Sequence, residues 1–405
     1  MCIDALKSRS PNEVRTHHEW SVCAVKILLA MSGGVDSSVA AALLKSEGHE
    51  VIGCFMRLGS PGEELETPLQ GEACALGAGA ARVGQHGCCS INDAMDARLV
   101  AAKLDVPFYV VNFRKDFSRI ISYFEEEYHA GRTPNPCVRC NDWLKFGKLR
   151  EYAQQLGCDA VATGHYARVV QTQSGPRIQR GSDRAKDQSY VLFGVGREAL
   201  AQMMLPIGDM EKPAVRELAR SFALPVSEKP DSQEICFVPD DYADFLNKRA
   251  PERFQEGAIL DESGKELGRH AGHQRFTIGQ RKGIGVAATI PLYVLRKDAA
   301  HNTVVVGPRE SLGVSSVIAR EVVWYGEEFS VMSHETTPAQ LLCTAQVRAH
   351  GASIPSRVTM TRDDGGCALH ITFERPELGV APGQAVVCYD ANECVIGGGW
   401  IASVC

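Results

Sequence analysis

A chain of 405 residues, 44% hydrophobic and 23% charged, has the balance of a soluble globular protein and apolar material for two or three cores. Its net charge of −6 argues weakly against nucleic acid as a partner, and its longest apolar runs are too short to cross a bilayer. The 15 cysteines are odd in number and irregular in spacing, which excludes the disulfide framework of a small secreted protein.

In chain order, residues 1–22 carry charges of both signs without an apolar segment, and read as a disordered tail rather than a leader. VKILLAM (25–31) is a buried-type strand, followed by a Gly turn and the helical SVAAALLKSEG, which stops at Gly48. EVIGCFMRL is a second strand, and the Gly- and Ala-rich stretch 59–87 a mobile loop. INDAMDARLVAAKLD is a helix, PFYVVNF a third strand, and DAVATGHYARVV another. This alternation predicts an α/β fold, a doubly wound parallel sheet with helices on both faces. Between those last two strands, in GRTPNPCVRCNDWLKFG (131–147), prolines hold the approach extended and helical patterning starts after Asn141. Cysteines at such a junction, Cys137 and Cys140, feel unpaired backbone N–H groups that favour thiolate. A zinc half-site, a disulfide and a sulfur-handling site all fit the spacing.

From about residue 253 the texture changes to short strands separated by turns (GAILDE, TIPLYVLRKD, NTVVVG, LLCTAQVRA, CALHITF, QAVVCYD, CVIGGGWI). One or two small β-rich, barrel-like domains are expected there. The predicted units are 23–240 (catalytic), 241–312 (central) and 313–405 (C-terminal). The average charge hides a local excess over 253–309, nine Lys/Arg against five Asp/Glu, with Arg275, Arg281 and Lys282 as candidate phosphate contacts. Cys54, Cys343, Cys388 and Cys394 lie in apolar runs as small hydrophobes, and Cys88 and Cys89 read as structural.

SGGVDSS (32–38) follows the first strand and opens the first helix. Gly33 and Gly34 allow a tight turn and close approach to a ligand, while Ser32, Ser37, Ser38 and the helix amides offer donors to phosphate. There is no GK[ST], so this is not a Walker loop. An acidic Asp36 beside phosphate calls for a bridging Mg²⁺. The stretch resembles the SGGxDS loop of the ATP pyrophosphatases, which cleave ATP between the α and β phosphates. That resemblance implies an ATP site formed by Ala30, Met31, Ser32, Gly33, Gly34, Val35, Asp36 and Ser37.

The subfamily signal is longer. GRTPNPCVRCNDWLKFG, ATGHYARV, KDQSYVLFGV, SEKPDSQEICFVPDDYADFL, GHQRFTIGQRKGIGV and PGQAVVCYD, in this order from about residue 25 onward, resemble the bacterial and organellar tRNA-specific 2-thiouridylases. The resemblance implies an ATP-dependent sulfurtransferase making 2-thiouridine at the wobble position. Cys236 then matches a persulfide carrier and Cys140 the assisting thiol. Met56 borders adenine, and Gly164 contacts the nucleotide by its backbone. Asn135, Pro136 and Cys137 surround the target base, and His165, Lys186, Asp187, Gln188, Arg348, Ala349 and Gln384 contact tRNA. A cysteine at 137 departs from the better-known members, which carry an acid/base Asp there. Two routes are open: Cys137 as the proton-transfer group, or Cys137, Cys140 and Cys236 as ligands of a [4Fe–4S] cluster that binds hydrosulfide. The expected partners are tRNA and a sulfur-donor protein or hydrosulfide, with no membrane, in a cytoplasmic monomer. Rival readings are an amidating ATP pyrophosphatase, which leaves the cysteines and β domains unexplained, and a metal-stapled RNA-binding module, which has no use for SGGVDSS.

Overall fold

Ile27, Leu28 and Leu29 have no exposed surface, because β1 (Lys26–Ala30) runs through the middle of a parallel sheet covered on both faces. The coordinates are a computed structural model and describe residues 24–59, 91–231, 235–238, 241–326, 340–363 and 365–405. The expected tail, most of the Gly- and Ala-rich stretch, Cys88 and Cys89 lie outside these residues. The sheet also contains β2 (Glu50–Arg57), β3 (Phe108–Asn112), β4 (Ala160–Ala162) and β7 (Met203–Met204), in the order β3-β2-β1-β4-β7 with every pair parallel. The pleat sends Leu28 into one core with Phe117 and Phe124 of α3 (Arg114–His129). Ile27 and Leu29 enter the other core, with Val39 of α1 (Val35–Ser46), Val100 of α2 (Ile91–Lys103) and Val215 of α7 (Lys212–Ser221). Each such side chain contributes roughly 1.5–3 kcal/mol by leaving water. The doubly wound reading holds.

The stretch DAVATGHYARVV is not one strand. β4 ends at Ala162, and after a four-residue loop β5 (Ala167–Thr172) pairs with β6 (Gly175–Arg180) in a separate hairpin. The cysteine-bearing helix also begins earlier than the periodicity implied. Asn135 caps α4 (Pro136–Arg139), its side chain accepting from Val138 N at 3.4 Å with Pro136 at the first helical position. The helix continues through a π-helical stretch, Cys140–Lys148, into α5 (Leu149–Gln155). Such π segments are frequent at functional sites. The short α6 (Arg197–Leu200) and the later α8 (Tyr242–Arg249) complete the α-helices among the described residues.

Beyond α8 come a four-stranded sheet and a closed barrel. The sheet has the order β10-β11-β8-β9, from β8 (Gly257–Leu260), β9 (Glu266–His270), β10 (Tyr293–Asp298) and β11 (Thr303–Gly307). The barrel comprises β12 (Gly313–Trp324), β13 (Gln340–Gln346), β14 (Ile354–Asp363), β15 (Gly366–Leu378), β16 (Ala385–Tyr389) and β17 (Val395–Val404), closed in the order β12-β15-β14-β13-β16-β17. On β16 all five residues are buried. Val386 and Cys388 face the barrel interior, while Ala385, Val387 and Tyr389 join the core of the α/β domain. That alternation makes the barrel wall part of the catalytic domain's packing. Tyr325 reinforces it, its buried hydroxyl donating to Phe193 O (2.7 Å) and Val195 O (2.5 Å).

Candidate active site

The Gly-rich loop lies between β1 and α1, at the carboxyl edge where the strand order reverses between β1 and β4. That switch point is where open α/β sheets bind ligands. Gly34 is the N-cap of α1 and offers no side-chain cap. The serines turn back on the loop instead: Ser38 Oγ donates to Gly34 O at 2.7 Å, Ser37 Oγ accepts from Ser32 N at 3.1 Å, and the two hydroxyls of Ser32 and Ser37 lie 3.2 Å apart. The amides at the head of α1 therefore lack a side-chain acceptor, which suits an anion. Gly33 has φ +75°, and a β-carbon there would lie 2.2 Å from Asp93 O. Only glycine fits.

One cavity of about 800 Å³ joins this loop to the cysteines, toward the large end of the ~300–1,000 Å³ usual for ligand pockets. Its lining includes Ala30, Met31, Ser32, Gly34, Val35, Asp36, Ser37, Met56 and Gly164, together with Cys137, Cys140 and Cys236. The fold thus unites Cys140 and Cys236, which are 96 residues apart in the chain. Cys137 is exposed and the other two are half-buried. Asn135, Pro136, His165, Lys186, Asp187, Gln188 and Ala349 line the same space. Arg348 and Gln384 do not. Arg348 is held by Glu377 (2.8 Å) and Leu378 O, and Gln384 Nε2 donates to Thr133 O (3.1 Å) and Pro134 O (3.2 Å). Arg275 pairs with Asp244, whereas Arg281 and Lys282 are exposed.

Several side chains have different work from that expected. The Asp36 carboxylate accepts from Lys212 Nζ at 2.7 and 2.9 Å and from Tyr166 Oη at 2.7 Å. The cation beside Asp36 is thus Lys212. Asp187 is walled in: Arg180 Nη1 (2.8 Å), Gly181 N (2.9 Å), Ser189 N (3.1 Å) and Ser189 Oγ (2.8 Å) all donate to it. It organises its loop and has no oxygen to spare for a solvent-side partner. His165 is buried, with Nδ1 2.7 Å from Thr163 Oγ1 and Nε2 3.4 Å from Lys145 Nζ. Burial, and then the Lys145 ammonium, hold it well below the usual histidine range. An ammonium only donates, so Nε2 accepts and Nδ1–H donates to Thr163.

Among the cavity residues that escaped the sequence reading are Lys145, Tyr166, Lys229 and Asp231. Burial opposes the charge of Asp231, but hydrogen bonds from Lys212 and Lys186 outweigh it and bring the carboxyl down to about 2. Lys229 Nζ bonds Gly33 O (3.0 Å), Asp93 and Asp96 (2.6 Å each); burial works against its charge, yet those carboxylates raise it on balance. Lys229 and Asp231 lie inside the SEKPDSQEICFVP motif, so a signal existed. Lys212 carried none; its burial at the start of α7 exists only in the fold.

A parallel sheet with an anion-ready helix head at its switch point, lined by lysines and opening onto cysteines, defines an α/β domain of the HUP class with two β domains appended. Family descriptions match in the same order: "tRNA methyl transferase HUP domain" over residues 25–240, "tRNA methyl transferase PRC-barrel domain" over 243–308 and "Aminomethyltransferase beta-barrel domain" over 315–401. The chain is 45% identical to the tRNA-specific 2-thiouridylase MnmA of Rhodopirellula baltica over 93% of its own length and 96% of that protein. Identity is also 45% to the proteins of that name from Geotalea uraniireducens (93% and 94% covered) and Geobacter metallireducens (93% and 96%). The chain belongs to the tRNA-specific 2-thiouridylase MnmA family. Among the described residues no helix is long and apolar enough to cross a membrane.

Proposed function

We propose that this protein is an ATP-dependent sulfurtransferase that replaces the 2-oxygen of the wobble uridine of tRNA with sulfur. The observation that carries the reading is the single cavity lined by both the Gly-rich loop and the three cysteines. A uridine carbonyl is a poor electrophile with a poor leaving group. Attack of its oxygen on the α-phosphorus of ATP releases pyrophosphate and makes AMP the leaving group at C2. The amides at the head of α1, with Lys212 and Lys229 close by, receive the pyrophosphate charge. Sulfur attack at C2 then expels AMP, and the shared cavity makes the two steps neighbours.

The sulfur arrives on Cys236 as a persulfide from a donor protein. Its outer sulfur bonds C2; the Cys140 thiolate then attacks the inner sulfur, and 2-thiouridine leaves with the electron pair of the broken S–S bond. The resulting Cys140–Cys236 disulfide is reset by an external dithiol. Asn135, Pro136 and Cys137 flank the flipped base, and Cys137 moves a proton during adenylation. An iron–sulfur cluster was the other route. Cys137, Cys140 and Cys236 line one cavity and would be the ligands of such a cluster, which would supply an open iron for hydrosulfide; no step here is routed through it. Mg²⁺ would accompany ATP, but Asp36 is already engaged by Lys212 and Tyr166 and is given no metal role.

The test is purified full-length protein with unmodified tRNA, ATP and a persulfide donor, scored for pyrophosphate and 2-thiouridine. Asp36→Ala should lose pyrophosphate release, because Lys212 and α1 lose their shared anchor, while tRNA binding persists. A wild-type protein that releases no pyrophosphate with tRNA overturns the reading.

A further inference from the structure

Between the two cysteines of α4 and its continuation stands Arg139, and its side chain points away from any solvent role. Only 8% of the residue is exposed. The guanidinium carbon lies 4.0 Å from the ring centroid of Trp400, 4.9 Å from that of Trp143 and 5.2 Å from that of Tyr123. One terminal nitrogen donates to Glu321 at 2.7 Å, while the buried Nε has no hydrogen-bond partner. Two of these partners, Trp400 on β17 and Glu321 on β12, belong to the barrel.

The strand is bent to make this contact. Glu321 is a non-glycine residue at φ +48°, within the register shift between Arg320 and Val323 where β12 pairs with β17. Bulges re-aim side chains, and a left-handed Glu persists only where its surroundings impose it. A second grip lies just upstream. Pro382 O accepts from Thr133 N at 2.8 Å, Gln384 holds the carbonyls of Thr133 and Pro134, and a β-carbon on Gly383 would come within 2.9 Å of Thr133 N. The barrel therefore grips the thiol-bearing segment on both sides of Cys137.

We propose that Arg139 is a positioning residue for the sulfur-transfer step, fastening the turn that carries Cys137 and Cys140 to the C-terminal barrel. The proposal rests on the sulfurtransferase reading above. A leucine could fill the same space without burying a charge, and buried ions are poor stabilisers compared with apolar packing. What a planar, always-charged guanidinium adds is direction: it stacks on rings and bonds one carboxylate in a fixed plane. Register of the thiols is the property this secures. Glu321 and Trp400 are not among the cavity-lining residues, and both contact Arg139 directly, so their effect on chemistry is assigned to Arg139.

Full-length Arg139→Met, Glu321→Gln and Trp400→Leu proteins are compared with wild type in two single-turnover assays: tRNA-dependent pyrophosphate release, and 2-thiouridine formation by enzyme preloaded with persulfide. Thiolation should fall about thirty-fold or more in Arg139→Met, as misplacing reacting groups by about an ångström does, and several-fold in the barrel variants. Pyrophosphate release should fall far less in all three. The alkylation rate of Cys140 by iodoacetamide should shift in the same variants, a change that global loss of stability does not produce at a temperature where all remain folded. If Arg139→Met fails to fold, Arg139→Lys and Glu321→Gln carry the comparison. Equal loss of both half-reactions, or unaltered thiolation, overturns the proposal. A wild type inactive in both assays overturns the sulfurtransferase reading instead.

Discussion

Gly164 packs so closely on Ser37 that a β-carbon at 164 would lie 2.6 Å from the Ser37 amide nitrogen and 2.7 Å from the Asp36 carbonyl carbon. The loop after β4 thus presses on the first turn of α1, where phosphate is expected. Gly164→Ala should push the two apart and depress pyrophosphate release by about 100-fold, with a far smaller effect on tRNA affinity. Pre-steady-state release of pyrophosphate and filter binding of tRNA measure the two separately. Full activity in Gly164→Ala would remove this contact from the nucleotide site.

Asp187 was expected to touch tRNA, and its four donors give it a structural task instead. Asp187→Ala leaves the guanidinium of Arg180 buried against Tyr389 without its carboxylate. Breaking such a pair costs about 3–5 kcal/mol. Urea unfolding should record that loss, while the slope of tRNA affinity against salt stays as in wild type, since no phosphate contact is removed. A flatter salt slope would restore Asp187's loop to the tRNA surface.

Lys297 projects from β10 to within 3.5 Å of Arg132 O and 5.4 Å of the Tyr128 ring centroid. Burial brings its ammonium down to about 7. In the unfolded chain the same group titrates near ~10.4, so between the two values the unfolded state holds more protons. Stability from this group is therefore lowest below about pH 7 and rises as pH climbs toward about 10. Neighbouring His129 and His273, both lowered by burial, titrate beneath that window. Lys297→Met should flatten the pH dependence of the urea midpoint from pH 7 to 10 and raise the midpoint at pH 7. An unchanged slope would assign the proton elsewhere.

Cys137 separates the two sulfur routes. Cys137→Asp should keep much of the thiolation activity, because a carboxylate carries the same proton, whereas Cys137→Ser should lose most of it. Both are assayed anaerobically, with iron and sulfide analysis of each preparation. An inactive Cys137→Asp beside an iron-containing, active wild type would favour the cluster.

The fold was legible where one signal dominated. Continuous apolar strands, the stop at Gly48 and the loop SGGVDSS marked the α/β unit well, since each reflects local chemistry. β12 and β14 escaped because their runs mix polar residues and a proline, Pro355, with apolar ones; barrel closure supplies what local pattern lacks. α4 was placed too late because its start depends on Asn135 capping rather than on periodicity. At the site, motif residues converged on one cavity, but the partners of Asp36 and Gln384 come from distant segments. Lys212 is 176 positions from Asp36, and Thr133 is 251 from Gln384. No spacing rule reaches across such gaps.

β17 has a consequence for the order of synthesis. The strand that closes the barrel and brings Trp400 against Arg139 is made long after the Gly-rich loop, with some 360 residues between them. The α/β unit itself ends near residue 240, about 155 residues before β17, so on a ribosome adding roughly 5–20 residues each second it can collapse about 8–30 s before its thiol segment finds the wall it leans on. A nascent chain in that interval would hold the nucleotide loop without the braced cysteines. Under the bracing proposed above, sulfur transfer would begin only once β17 has closed the barrel.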